Sequence, residues 1–157
     1  VVAVNFADEP RPYANGEDQV MLAPRGYFVS GPGFRQSLLW IDDAPHTIIA
    51  KEGYLTAAGS GERPVAGVRS AGRTTLFRMH DDRWNVIVEP NLDIEVNVRD
   101  VTGWYDPTPV TAYAIAADGT LCSPIEAADE AGIIHLRSSP ESWQFALVRG
   151  MEQQPQP

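Results

Sequence analysis

The sequence predicts an all-β protein, an antiparallel β-sandwich of the immunoglobulin or fibronectin kind. Apolar and polar residues alternate along several segments, which is the pattern of strands that bury one face. The 157 residues include 13 Gly and 13 Pro, spread along the chain as punctuation between short elements. No segment of ten or more residues combines a helical period with capping residues. Many short strands separated by turn signals are typical of sandwiches and barrels.

The clearest strand is predicted over residues 92–99, where aliphatic residues occupy every second position. The same period runs through residues 84–88 and 143–147. Trp84 and Trp143 lie in phase with the aliphatic positions there, so both are expected in the core. Residues 125–131 are expected to form one helical turn at most. Further strand-like runs, separated by Gly-, Pro-, Asn- and Asp-rich turns, span residues 1–6, 19–22, 26–30, 34–40, 74–79, 110–115 and 133–136.

Domain organisation is predicted from residues 57–72, which are rich in Gly, Ser, Arg and Ala and show little alternation. This stretch favours two packed small β modules, residues 1–66 and residues 67–150, the second with the size of an immunoglobulin-like sandwich. One continuous sandwich over residues 1–150 is the alternative. Residues 151–157 are typical of the start of a linker, and both chain ends are expected to be cut points in a longer protein.

Charge narrows the classes of partner. Twelve Lys and Arg stand against 21 Asp and Glu, a formal net charge of −9. Such a surface repels phosphate backbones and anionic lipids, so neither nucleic acid nor a membrane is expected as a partner. A strongly sulfated or uronate-rich polymer is equally disfavoured unless a metal or a local Arg cluster intervenes. Neutral glycans, peptides and cations stay open.

The compartment is suggested by composition alone. Cys122 is the only cysteine, so no internal disulfide can form, and no apolar run reaches the ~18 residues of a membrane span. An acidic, cysteine-poor chain rich in Gly and Pro is typical of secreted bacterial proteins, although a lone thiol also suits a reducing cytosol. Secretion is the expectation.

Three segments resemble a known group of domains. Residues 1–10 (VVAVNFADEP) and 20–34 (VMLAPRGYFVSGPGF) resemble the β-sandwich domains that follow the catalytic barrel in many bacterial glycoside hydrolases. Residues 142–150 (SWQFALVRG) resemble the immunoglobulin-like modules of the same enzymes. The resemblance implies an accessory domain that packs against a catalytic barrel or binds glycan. It carries over no catalytic residue.

A candidate carbohydrate site lies in the loop that contains Trp104, Tyr105 and Asp106. Two adjacent aromatics between Gly103 and Pro107 cannot easily both point inward, so exposed rings are expected. Exposed rings fit the apolar C–H face of a sugar, and Asp106 would accept hydroxyl hydrogen bonds. In the alternative interpretation Trp104 plugs the end of the sandwich and Tyr105 caps it.

Two further aromatics are second candidates for the same role. They are Trp40, which ends an apolar run and is also compatible with the core, and Tyr54.

Metal binding and catalysis have weaker support. Carboxylates at Asp42-Asp43, Asp81-Asp82 and Asp106 would suit a structural Ca²⁺, although paired Asp in turns is normally a solvated hairpin tip. No metal ligand or other cofactor is assigned. The histidines lack zinc-site spacing, and no nucleophile elbow or phosphate loop is present, so no catalytic residue is predicted.

The function predicted from the sequence is a non-catalytic carbohydrate-binding or accessory module of a secreted carbohydrate-active enzyme. Its expected partners are a polysaccharide or oligosaccharide and the neighbouring catalytic domain of the parent chain. A purely structural spacer or protein-interaction domain is the first alternative. A small glycan hydrolase is the second, and it predicts a cleft with facing carboxylates.

Overall fold

A computed structural model describes residues 1–16 and 18–150 of the chain, and the predicted linker 151–157 lies outside them. Fifteen strands and one five-residue helix make up the regular structure of this part. The elements are β1 (Val2–Val4), β2 (Arg11–Asn15), β3 (Asp18–Leu22), β4 (Tyr27–Gly31), β5 (Phe34–Ile41), β6 (Ala44–Lys51), β7 (Tyr54–Ala58), β8 (Val68–Ser70), β9 (Arg73–His80), β10 (Arg83–Val88), β11 (Asp93–Asn97), α1 (Val98–Thr102), β12 (Val110–Ile115), β13 (Leu121–Ala127), β14 (Ile133–Arg137) and β15 (Gln144–Arg149).

The strands form two antiparallel sheets. The large sheet has the strand order β1-β4-β5-β6-β7-β9-β10-β15-β12-β13, and the β2–β3 hairpin joins it through a pairing of Leu22 with Leu39. The small sheet has the order β14-β11-β8. The predicted all-β antiparallel sandwich is confirmed, while an immunoglobulin-like strand arrangement stays a prediction.

The core lies between the two sheets. Leu76, Val86 and Phe145 contribute to it from the large sheet, and Val96 and Ile134 from the small one. The β2–β3 hairpin lies against the same core, because Tyr13 and Val20 pack on it. The face of the large sheet that points away from this core, here called the outer face, carries the alternate residues of each strand.

Sequence alternation placed one of the two strand tryptophans correctly. Trp84 is buried, as predicted, whereas Trp143 is 38% exposed. Trp143 precedes the first residue of β15, so its backbone lies beyond the pleat that turns Phe145 and Leu147 inward. The alternation that turns Phe145 and Leu147 toward the core therefore begins only within β15.

One strand end was predicted wrongly. The strand predicted over residues 92–99 ends at Asn97, whose side chain accepts the N–H of Asp100 at 3.2 Å and caps α1. Gly103, at a φ of 74°, ends that helix in the left-handed conformation. Residues 125–131, for which one helical turn at most is expected, form none, because β13 runs through Ala127. In the described residues no helix is long and apolar enough to cross a membrane.

The large sheet continues across the predicted module boundary at residue 66. β7, before the boundary, pairs with β9 after it over five residue pairs. One hydrophobic core also includes Leu39 from the first part and Leu76 from the second. Independent folding of residues 1–66 and 67–150 stays a prediction, as does the single sandwich over 1–150.

A two-residue turn sets the register that the outer face depends on. Asp42 and Asp43 join β5 to β6, and both have positive φ, 49° and 60°. Positive φ at both central residues matches the right-handed twist of hairpin strands. The pairing then runs unbroken from Ile41–Ala44 to Phe34–Lys51, so alternate residues of the two strands stay on one face.

Two buried serines differ in whether their hydroxyl groups are hydrogen-bonded, and their substitution tests how much such bonds contribute to stability. Ser138 Oγ donates to the Glu89 carbonyl at 2.6 Å and accepts the Leu92 N–H at 2.9 Å. Ser37 Oγ, also buried, has no partner among the described residues. Ser138→Ala is therefore expected to lower the free energy of unfolding by about 1–3 kcal/mol, and Ser37→Ala to be neutral or stabilising. Urea denaturation measures both, and equal losses at the two positions would contradict this account.

Candidate functional site

Trp104 does not present an open ring. It is 8% exposed and forms part of the hydrophobic core. Its indole N–H donates to the carbonyl of Asp81 at 3.1 Å, and the Arg149 guanidinium lies 5.2 Å from the ring centroid. The expectation of two exposed rings is therefore wrong for Trp104, because its polar N–H finds a backbone partner inside. The alternative, in which Trp104 plugs the end of the sandwich, matches its position.

The other two residues of the loop remain accessible. Tyr105 is 73% exposed. Asp106 accepts the Thr108 N–H at 3.0 Å and forms an ion pair with Arg149 at 2.8 Å. Hydrogen bonds from Thr108, together with the Arg149 charge, hold the pKa of the Asp106 carboxyl below its ordinary value.

A shallow cavity of about 360 Å³ beside this loop is lined by Trp104 and Asp106, but not by Tyr105. The three predicted residues thus do not combine into one stacking platform.

Trp40 and Tyr54, the second candidates, both lie on the outer face. Trp40 is the seventh residue of β5 and follows Phe34, Gln36 and Leu38 along that face. Tyr54 begins β7 and pairs with Lys51 on one side and Phe77 on the other. Both rings are partly exposed. The two aromatics share a face of the sheet but are not brought together, because Tyr54 is in register with Phe34 through Lys51, and Trp40 lies six residues along β5 from Phe34.

Paired residues form rows across the outer face, at right angles to the strands. The first row crosses β5, β6, β7, β9 and β10 and spans about 19 Å at the usual strand spacing. Three of its five members are aromatic, and the other two are Lys51 and Asn85. In order it consists of Phe34, Lys51, Tyr54, Phe77 and Asn85.

A second row runs parallel to the first and combines three aliphatic side chains with one amide and two hydroxyl side chains, of which the Thr56 hydroxyl is buried. It crosses six strands, from β4 to β10, and spans about 24 Å. In order it consists of Val29, Gln36, Ile49, Thr56, Thr75 and Ile87. Apolar contact area and hydrogen-bonding groups therefore recur side by side along both rows.

A hydrogen bond between the rows holds the Tyr54 ring. Thr56 Oγ1 donates to the Tyr54 hydroxyl at 3.0 Å and lies 2.9 Å from Thr75 Oγ1. Because Thr56 has only one hydroxyl proton, Thr75 donates to Thr56, and the proton of the Tyr54 hydroxyl stays free for an acceptor outside the protein. Lys51 Nζ lies 5.3 Å from the centroid of the same ring, a cation–π contact. Tyr54 is thus a fixed, oriented ring.

A separate groove of about 580 Å³ lies on the solvent side of the small sheet. Both carboxylate oxygens of Glu95 are engaged there by Arg69, and His135 Nδ1 lies 3.4 Å from one of them. Asp93 pairs with Arg137 at 3.7 Å. Within each of these cross-strand pairs, the arginine charge is balanced by the carboxylate charge. A hydrolase needs a carboxylic acid and a free carboxylate facing each other, and Glu95 is not free because it is bound to Arg69; Glu62 and Glu126 also line the groove.

The carboxylates proposed for Ca²⁺ lie in separate turns. Asp42 is in the β5–β6 turn and bonds Arg63 at 2.9 Å, whereas Asp81 and Asp82 are in the β9–β10 turn. In residues 1–16 and 18–150 no group of three or more His, Cys, Asp or Glu side chains is placed to hold a metal ion.

Sequence reasoning missed the rows themselves. Phe34 and Phe77 join Tyr54 only through strand pairings, and no local spacing connects these residues in the sequence. The available signal was the period-two series Phe34, Leu38 and Trp40, which places three large apolar side chains on one face of β5.

Comparison of the chain with protein-family models, curated proteins and solved structures found no match in any of the three.

Proposed function

We propose that the chain is a non-catalytic carbohydrate-binding module whose binding surface is the outer face of the large sheet. The observation that carries this proposal is the pair of in-register rows, in which partly exposed rings alternate with hydroxyl, amide and ammonium groups. In this proposal the module serves a secreted carbohydrate-active enzyme, and its partners are a polysaccharide and the neighbouring catalytic domain.

The chemistry of the rows suits a sugar chain better than a compact ligand. Pyranose rings offer an apolar C–H face that packs on Tyr54 and Phe77, and their hydroxyls need nearby donors and acceptors. Thr75, Gln36 and Asn85 supply these groups between the apolar contacts. A strip about 19–24 Å long accommodates an extended chain of several sugar units.

Docking of a neighbouring protein domain is the second candidate for the same face. The aliphatic members of the second row, Val29, Ile49 and Ile87, favour it, because apolar patches of this kind also occur at protein interfaces. A module that binds protein alone would leave glycans unbound.

The test is affinity gel electrophoresis on a panel of neutral and acidic polysaccharides. The double variant Tyr54→Ala/Phe77→Ala is expected to weaken glycan binding roughly tenfold or more, because it removes two stacking rings. Tyr105→Ala, which removes an exposed ring in the loop instead, is expected to bind like the wild type. Urea denaturation confirms that each variant folds.

Two results would overturn the proposal. Loss of binding in Tyr105→Ala, with binding kept in the double variant, would move the site to the loop. A wild-type protein that no polysaccharide in the panel retards would favour the protein-docking candidate.

A further inference from the structure

The charges on the outer face have the opposite sign to those of the whole protein. The chain carries a net charge of −9. On the strands from β4 to β10 of the large sheet, the charged residues that alternate onto the outer face are Lys51, Arg73 and Arg83, and no Asp or Glu is among them in the described chain. The strand residues of this face therefore carry three cations and no acid, and Glu89 lies opposite Arg73 just beyond the end of β10.

These three cations keep donors available. Arg83 Nε donates to Asn85 Oδ1 at 3.0 Å, which orients the guanidinium and leaves its terminal N–H groups open. Lys51 lies over the Tyr54 ring, a contact that occupies none of its N–H donors. None of the three forms an ion pair within residues 1–16 and 18–150.

The nearest acidic residues lie in turns, and several are already engaged. Glu52 bonds Arg78 at 3.1 Å, and Asp42 bonds Arg63 at 2.9 Å. Glu89 accepts the backbone N–H of Arg73 at 2.9 Å. Asp81 and Asp82, in the turn before Arg83, are exposed and remain the main acidic neighbours of the face. The cations on the strands therefore set the charge above the aromatic rows.

The positions of the cations suit a polymer with repeated charges. Lys51 lies within the first row. Arg83 lies on β10, two residues from Asn85, on the side of the first row away from the second. Arg73 lies on β9, two residues from Thr75, on the side of the second row away from the first. From strand and residue spacings, their Cα atoms are about 16–21 Å apart, with the rings and hydroxyls between them. A single small anion cannot contact all three, whereas a chain with a carboxylate on successive units can.

We infer that the glycan bound by the outer face is anionic, a polysaccharide of the uronic acid class whose carboxylates contact Lys51, Arg73 and Arg83. This inference rests on the proposed function. Arginine binds carboxylates through paired N–H donors, lysine binds them as a point charge, and the aromatic rows contact the sugar rings. These three cations provide the positive charge that a polyanion needs, which the net charge of the whole protein does not provide.

The test compares polygalacturonate with the same polymer after chemical reduction of its carboxyl groups, together with a neutral glycan panel. The triple variant Lys51→Met/Arg73→Met/Arg83→Met keeps apolar stems and is expected to bind polygalacturonate at least roughly tenfold more weakly. Wild-type binding is expected to weaken as ionic strength rises. The matched control is Arg137→Met, which removes an exposed cation from the small sheet and is expected to change little.

The outcomes separate the two proposals. Equal binding to polygalacturonate and its reduced form, unchanged in the triple variant but lost in Tyr54→Ala/Phe77→Ala, would refute the anionic class and leave the glycan function standing. Loss of polygalacturonate binding in Arg137→Met, with binding kept in the triple variant, would place the anion on the small sheet and refute the inference. Absence of binding to every polysaccharide would refute both proposals.

Discussion

Trp104→Ala is expected to lower the free energy of unfolding by about 3–5 kcal/mol, the usual cost of truncating a large buried aromatic side chain. The ring is 8% exposed and belongs to the core. Its removal leaves a cavity and also deprives the Asp81 carbonyl of the indole N–H. The Arg149 guanidinium loses the ring face beside it. Chemical denaturation followed by circular dichroism measures the loss.

Tyr105→Ala is the control for this prediction, because it removes the adjacent aromatic, which is 73% exposed. Its effect on the free energy of unfolding is expected to stay within about 0.5 kcal/mol. Two neighbouring aromatics would then differ several-fold in their contribution to stability. A Trp104→Ala protein as stable as the wild type would contradict the plug and return this ring to the list of candidate ligand contacts.

The contrast between Trp104 and Tyr105 shows what sequence could predict about the loop. Adjacent aromatics between Gly103 and Pro107 predicted exposed rings, which is right for Tyr105 and wrong for Trp104. Which ring turns inward depends on Asp81, 23 residues away in sequence, whose carbonyl accepts the indole N–H. No local pattern contains that partner.

The fold class was predictable because alternation survives in most strands. In β10 and β11 every second residue is buried, which fixed both their type and their inner face. β5 shows the limit of this method. Its inner face carries Arg35 and Ser37, while its outer face carries Phe34 and Trp40, so the polar residues point toward the core side. Alternation alone assigns the faces of such a strand the wrong way round.

The binding face could be predicted only in fragments. Trp40 and Tyr54 were candidates as isolated aromatics. The rows, however, depend on the pairing of β7 with β9, two strands that are not consecutive in sequence because β8 lies between them. β8 belongs to the small sheet, where it pairs with β11, so β7 and β8 are consecutive in sequence but are not paired in a sheet. A sequential meander would not have placed Phe77 beside Tyr54.

Gly59→Ala is expected to lower the free energy of unfolding by about 1–3 kcal/mol, the usual cost of overpacking a buried site. A Cβ at this position would lie 2.7 Å from Nε2 of His46 and closer still to its Cδ2. The ring cannot move away freely. His46 is 1% exposed, its Nδ1–H donates to the Ala44 carbonyl at 3.0 Å, and its Nε2 accepts the Ser60 N–H at 3.3 Å. Urea denaturation measures the loss.

Gly31→Ala is the matched control, because a Cβ there meets nothing within 4 Å, and its effect on stability is expected to be small. The decisive comparison repeats Gly59→Ala in a His46→Ala background. With the imidazole removed, the added methyl has space, so its cost is expected to fall below about 0.5 kcal/mol, a non-additivity that identifies the ring as the obstacle. An unchanged cost in that background would show that backbone conformation at Gly59, and not contact with His46, requires glycine there.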